Sequence, residues 1–378
     1  MTRAIRSRRI FADRRFIDGT LFFDESGIVA IGEGDAAPSD AIDAKDLILA
    51  PGFVDIHVHG ALGFDFAESD CAGILKASAY HLAHGTTSIC PTVVAAPKAV
   101  TRRALGEISL AMRKSRQIVG AHLEGPYLSP KQCGAQSPGI IRTPDAEEYL
   151  GLLRDFGDVI RRWSYAPELD ADLAFTKAVA EHKIALSAGH TDATAAELDA
   201  AMRLGCRQIT HLYSCTSMVR RIGPYRHSGV IEKAYLEKDI FVEAIADGHH
   251  LPPDLLRLIY QIKGADRVAL VTNALRVCGT EATEGVVGET PYVIENGVCM
   301  LRDRTAFAGS VATADRLLRF AVEGAGIPLA DALVMLTETP AKMADLRVGR
   351  LAPSYPADFV LLGSDLSVKS VYKDGQLV

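Results

Sequence analysis

No apolar run in this 378-residue chain approaches the roughly 18 residues needed to cross a bilayer, so no membrane span is expected. Long runs of one charge sign are also missing. Lysine and arginine number 41 against 47 acidic residues, a formal net charge of -6, which leaves no footprint for nucleic acid. The basic start, MTRAIRSRRIFADRRF, lacks the unbroken apolar stretch of a secretory leader and reads as an edge strand with solvated arginines. The seven cysteines (71, 90, 133, 206, 215, 278 and 299) are odd in number and form no CxxC pair. They argue against a disulfide framework and suit a reducing cytoplasm, most of them as small buried packing residues.

What is present, 48% apolar and 23% charged residues, suffices for one large folded unit and a smaller one. Residues 1–50 read as short strands between turns, and residues 346–378 read the same way (ADFVLLG, SVKSVYKDG, QLV). Neither end has enough strands to be stable alone, so the two are expected to pair into one small β-sandwich domain. Between them, over 51–345, short apolar strands alternate with helical periodicity. Eight strands are expected at 54–58, 86–92, 118–125, 162–168, 184–190, 207–213, 240–248 and 267–273. Helices fit between them: Ile74, Leu75, Ala79 and Leu82 recur at helical spacing, Thr194 and Glu197 form a capping box before a helix stopped by Gly205, and another helix runs from Pro252-Pro253 to Gly264. Eight strand–helix pairs over about 250 residues predict an α/β fold, a (β/α)8 TIM-type barrel.

In such a barrel the chemistry sits where the strands' C-terminal ends meet. Strand one ends in HVH, whose i, i+2 spacing puts His57 and His59 on one face. Strand three ends with Glu124, strand five with His190 and strand six with His211. Imidazoles with a carboxylate suit a divalent ion, zinc first and iron or manganese next. Strand eight, RVALVTN, ends in Asn273, a carboxamide that neither gives up nor takes a proton near neutral pH.

The motifs PGFVDIHVHG, HLEGPYLSP, SAGHT, DGHH, FAGS and VGRLAPSYPADFVLL resemble the amidohydrolase superfamily over nearly the whole chain, and within it the N-acetylglucosamine-6-phosphate deacetylases. Superfamily members that bridge their metals with a strand-four lysine are a poorer match, because RWSYAPE has no lysine. The resemblance implies a cytoplasmic, homodimeric enzyme that hydrolyses the N-acetyl group of an amino-sugar phosphate. It implies that Glu124, His190 and His211 hold the principal ion, with His57, His59 and a shared Glu124 for a second, one or two ions per subunit. Position 273 would belong to an aspartate that takes a proton from the attacking water and gives it to the departing amine. Asn273 is then either an introduced substitution or native to a divergent member, and the chain should bind substrate but turn over poorly.

By the same resemblance, His250 with its neighbour His249 would reach the sugar or its phosphate, and Arg226 would bind phosphate, often across a dimer. Gly309 and Ser310 would line the sugar pocket. Two departures stand out. YSCTSM follows His211 where the family has NAM, in a longer loop that adds Arg220 and Arg221, and Gln136 replaces a histidine that helps polarise the acetyl carbonyl. These leave two alternatives: a related hydrolase acting on another N-acyl or cyclic amide, and a catalytically impaired sugar-phosphate-binding pseudoenzyme.

Overall fold

A computed structural model describes residues 2–378. Eight parallel strands form the central sheet: β1 (Phe53–Val58), β2 (Thr86–Val94), β3 (Ala121–Glu124), β4 (Ile160–Tyr165), β5 (Ala185–Ala188), β6 (Gln208–Ile209), β7 (Phe241–Ile245) and β8 (Val268–Val271). They pair in chain order. They are buried over most of their length, as expected of strands covered inside and out. β2, for example, is buried at every position. The seam between β8 and β1 is joined by the Asn273 N–H donating to the His57 carbonyl at 2.9 Å, with the Thr272 hydroxyl donating to Asp55 at 2.5 Å.

A helix follows each strand: α1 (Cys71–Ala83), α2 (Lys98–Met112), α3 (Ala146–Phe156), α4 (Ala174–Glu181), α5 (Ala195–Arg203), α6 (Val230–Leu236), α7 (Pro253–Lys263) and, after β8, α8 (Ala314–Arg319) with two more, Leu329–Leu336 and Glu338–Met343. The capping box at Thr194 and Glu197 forms as read. α5 stops before Gly205, whose φ of 103° only glycine adopts freely. α1 differs from expectation: its buried face is Ile74, Ala77, Ser78 and His81, and Ala79 is exposed. The stripe rotates toward small residues because Gly73 lies against Phe64 and Ser69, and because Gln117 reaches the Ser78 carbonyl at 2.8 Å.

Both chain ends contribute to a second, eight-stranded sheet. Its order is Gln376–Leu377, Val368–Lys373, Phe359–Leu362, Ile48–Pro51, Arg3–Ala12, Arg15–Asp24 and Gly27–Glu33, with Ile42–Asp43 beside Arg3–Ala12. In a flat sheet Phe23 and Phe359, three strands apart, would lie about 14 Å apart. Their rings are 5.1 Å apart, so the sheet curls over itself around Ile5, Ile10, Leu21 and Leu49.

The basic N-terminal strand is not an edge. Arg3–Ala12 is bonded on both sides, burying Ile5 and Ile10, while Arg6 pairs with Asp18 and Asp35 and Arg8 with Asp46. Acidic partners on neighbouring segments let an arginine-rich strand lie inside the sheet. A four-stranded antiparallel meander, from Glu284–Val287 to Phe307–Ser310, interrupts the barrel between β8 and α8 and was not foreseen. Five cysteines are buried, Cys133 and Cys215 are half-buried, and all seven are free. Among the described residues no helix is long and apolar enough to cross a membrane.

Candidate metal centre and pocket

Three rim residues leave their strands in left-handed backbone, with φ of 46° at His190, 29° at His211 and 49° at Asn273. This explains why β5, β6 and β8 end earlier than read. The chain turns sharply at the rim and aims each side chain inward, a conformation uncommon outside glycine and most tolerable for asparagine, aspartate and histidine.

The five expected donors converge. Glu124 Oε1 lies 3.0 Å from His211 Nε2, 3.1 Å from His190 Nε2 and 3.3 Å from His57 Nε2, and its Oε2 lies 3.6 Å from His59 Nε2. Two three-residue groups result, Glu124 with His190 and His211, and Glu124 with His57 and His59, all buried and with donor atoms within 4.8 Å of one another. Three of the four second ring nitrogens are occupied, His190 Nδ1 by the Gln132 carbonyl at 2.9 Å, His211 Nδ1 by the Ser214 carbonyl at 3.0 Å and His57 Nδ1 by Glu243 at 2.9 Å, while His59 Nδ1 has no partner. A divalent ion fits this set. His57 Nε2 is buried without a hydrogen-bond partner, which is costly unless something outside the chain binds it.

Burial alone would raise the Glu124 carboxyl, but the His57 charge and the His190 and His211 bonds hold it well below the usual carboxylate range. Burial also opposes ionisation of Glu243, which Arg162 and His57 outweigh, holding it at about 2. Asn273 is nearly buried, its Oδ1 2.9 Å from His59 Nε2.

A cavity of about 240 Å³ opens over these groups, lined by His59, Glu124, Gln136, His190, His211, His250 and Asn273, then by Tyr213, Ser214 and Cys215 on one wall and Ala306, Phe307 and Ala308 of the meander on another. His250 is fixed by its Nδ1, 2.8 Å from Asp247, while Phe307 lies 4.8 Å from its ring. Gln136 is bound to Glu124: its Nε2 donates to Glu124 Oε2 at 2.8 Å and its Oε1 accepts the Ala95 N–H at 3.0 Å.

Four expected residues stand elsewhere. Gly309 and Ser310 do not line the cavity. They lie behind it because their backbone pairs with β8's extension: the Ser310 N–H donates to the Asn273 carbonyl at 2.9 Å and its hydroxyl to the Thr272 carbonyl at 2.5 Å. Residues 306–308 form that wall instead. Arg226 is exposed on the hairpin Arg220–Ile222 with Tyr225–His227, opposite Arg221 and away from this subunit's cavity. His249 is likewise outside the lining.

Sequence reasoning missed Glu243 and Arg162, both fully buried. The available signal was a charged residue inside each of two barrel strands, IFVEAI and IRRWSY. The pocket wall from Ala306 to Ala308 carried no signal beyond its closeness to FAGS.

The amidohydrolase family model matches residues 48–378. The chain belongs to the amidohydrolase family. This amidohydrolase is 30% identical over 338 residues to N-acetylglucosamine-6-phosphate deacetylase of Bacillus subtilis (strain 168), covering 85% of this chain and 82% of that one. It is 29% identical over 386 residues to N-acetylgalactosamine-6-phosphate deacetylase of Escherichia coli O157:H7, covering 100% and 99%. Among solved structures, an aspartate-to-alanine mutant of N-acetyl-D-glucosamine-6-phosphate deacetylase from Mycobacterium smegmatis, in complex with N-acetyl-D-glucosamine-6-phosphate, superposes with a TM-score of 0.93 at 29% identity. That match covers 100% of this amidohydrolase and 99% of the solved chain.

Proposed function

We propose that this chain is a metal-dependent deacetylase of an N-acetylhexosamine 6-phosphate, with N-acetylglucosamine 6-phosphate as first candidate, yielding acetate and the amino-sugar phosphate. The observation that carries the reading is the convergence of Glu124 with His57, His59, His190 and His211, all but the buried His57 lining one cavity, in a family member whose relatives are amino-sugar-phosphate deacetylases. Two ions are proposed, one held by Glu124, His190 and His211 and one by His57, His59 and Glu124, with zinc as the metal. Bound there, a divalent cation polarises the acyl carbonyl and lowers the pKa of water toward about 7.

The chain's own residues set the rest. His250, braced by Asp247, presents its Nε2 edge toward bound sugar. Gln136 fixes the Glu124 carboxylate and so serves the ions more than the acetyl group. Asn273 stands where a proton carrier is needed and can offer only a hydrogen bond, so breakdown toward the amine is slow. Arg226, exposed on its hairpin, is proposed to reach the phosphate in the neighbouring subunit of a homodimer.

The test is acetate release from N-acetylglucosamine 6-phosphate and its galacto epimer, with zinc-loaded protein before and after Asn273→Asp. A rise of about 10²- to 10⁴-fold is expected from restoring a general acid–base. A metal-loaded Asn273→Asp protein inert on both sugars would sink the reading.

A further inference from the structure

Beneath the histidines the barrel holds a polar layer that the proposed reaction does not use. Glu243, midway along β7, is fully buried and engaged through both oxygens. Its Oε1 lies 2.5 Å from Arg162 Nη2, and its Oε2 accepts the His211 backbone N–H at 3.1 Å and lies 2.9 Å from His57 Nδ1. Arg162, fully buried on β4, is itself clamped: Nε donates to Gln208 Oε1 at 2.9 Å and Nη1 to the Ile56 carbonyl at 3.1 Å. Gln208 in turn donates to the Met343 carbonyl at 2.5 Å. The carboxylate cannot swing away from His57 without stranding a buried guanidinium.

Geometry then dictates the imidazole's state. An oxygen that already accepts from the His211 N–H, on a carboxylate whose other oxygen is ion-paired with the Arg162 guanidinium, faces His57 as an acceptor. Nδ1 must therefore donate. In a neutral ring the lone pair is then left on Nε2, the buried atom without a partner that faces Glu124. The other rings are held differently. Backbone carbonyls fix His190 and His211, and His59 Nδ1 has no partner at all. His122 packs edge-on against His57 at 4.7 Å but spends its nitrogens on Thr92 and Ser164, so it limits tilt and leaves the tautomer alone.

We infer that Glu243, clamped by Arg162, is a positioning residue that locks His57 as the Nδ1–H tautomer and so builds the second ion position. The inference rests on the two-ion reading above. Outer carboxylates of this kind typically change metal affinity about 10- to 100-fold when altered. Glu243→Gln keeps the shape, but its one amide oxygen cannot face the Arg162 guanidinium and also accept from His211 and His57. Its NH2 must face one of them.

Two measurements test it. In metal-free protein with ¹⁵N-labelled histidine, the His57 signals, assigned by their loss in His57→Gln, should show a proton on Nδ1; a His57 ring whose Nδ1 carries no proton overturns the inference without any variant. In zinc titration calorimetry backed by metal analysis, Glu243→Gln should bind its second ion at least tenfold more weakly. Its first should shift less than threefold, and Glu243→Asp should partly restore the second. Two ions bound by Glu243→Gln as tightly as by the parent chain would overturn it. A parent chain that takes up fewer than two ions would instead defeat the two-ion reading, a result the tautomer spectrum does not depend on.

Discussion

Gln136 has both ends of its amide committed, one to the Ala95 N–H and one to Glu124 Oε2, and this changes what the substitution means. Expected as a weakened acetyl contact, it stands as a brace on the Glu124 carboxylate. Gln136→Ala should therefore weaken zinc binding by roughly tenfold, read by competition with a chromophoric chelator, as expected for an outer partner of a ligand. The backbone at Asn273 bears on the Asn273→Asp experiment: aspartate and asparagine tolerate a φ of 49° similarly, so the exchange should add a proton carrier without refolding the rim. The five donors were legible because each stands at the end of an apolar run, where barrel geometry sends its side chain inward. Glu243 and Arg162 were not, because a lone charge within a strand does not say which distant strand supplies its partner. Ser310 misled for a related reason: its side chain serves the Thr272 carbonyl, a contact with no sequence spacing.

Elements show how buried charge is used for structure as well as for the site. Lys263, the last residue of α7, donates from Nζ to the carbonyls of Ala234 at 2.8 Å and Glu237 at 2.6 Å, closing the C-terminal end of α6 with a cation. Burial pulls its pKa down from 10.5 to about 8. Between about pH 8 and 10.5 the unfolded chain keeps a proton that the folded one has released, so this group adds stability as pH rises through that window. Denaturant titrations of the parent and Lys263→Met should show that increment only in the parent. At pH 7 the variant should lose about 1–3 kcal/mol for two unmet carbonyls. The strand–helix alternation was legible because each strand is a short run covered on both faces. The meander was not: GVV, YVI and VCM are apolar runs of three, too brief to tell from loop, yet their wall carries Phe307 against His250. Phe307→Ala should raise KM several-fold with kcat nearly kept, because the ring packs on His250, the histidine proposed to face bound sugar; a fall in kcat alone would refute that role.

At the scale of the molecule, ions that bind only the folded barrel must stabilise it. At a free concentration 100 times Kd the gain is about 2.7 kcal/mol, so chelation should lower Tm as well as activity, measured by calorimetry before and after zinc is restored. Arg226 belongs to this scale too, since it stands outside its own cavity. Arg226→Ala should raise KM for a phosphorylated sugar and leave the unphosphorylated one unchanged, with sedimentation showing a dimer in both proteins. The curled sheet has its own test: Phe359→Ala, which empties the fully buried contact with Phe23, should cost about 3–5 kcal/mol. That sheet also sets an order of events. Arg3–Ala12 and Ile48–Pro51 leave the ribosome early, yet Ile48–Pro51 has its antiparallel neighbour in Phe359–Leu362, made some three hundred residues later. The first strands synthesised must wait, with apolar faces uncovered, for nearly the last, and loop closure over that distance is slow. Nascent chains halted before residue 359 should therefore recruit holdase chaperones, and release of the final strands should be the step that frees them.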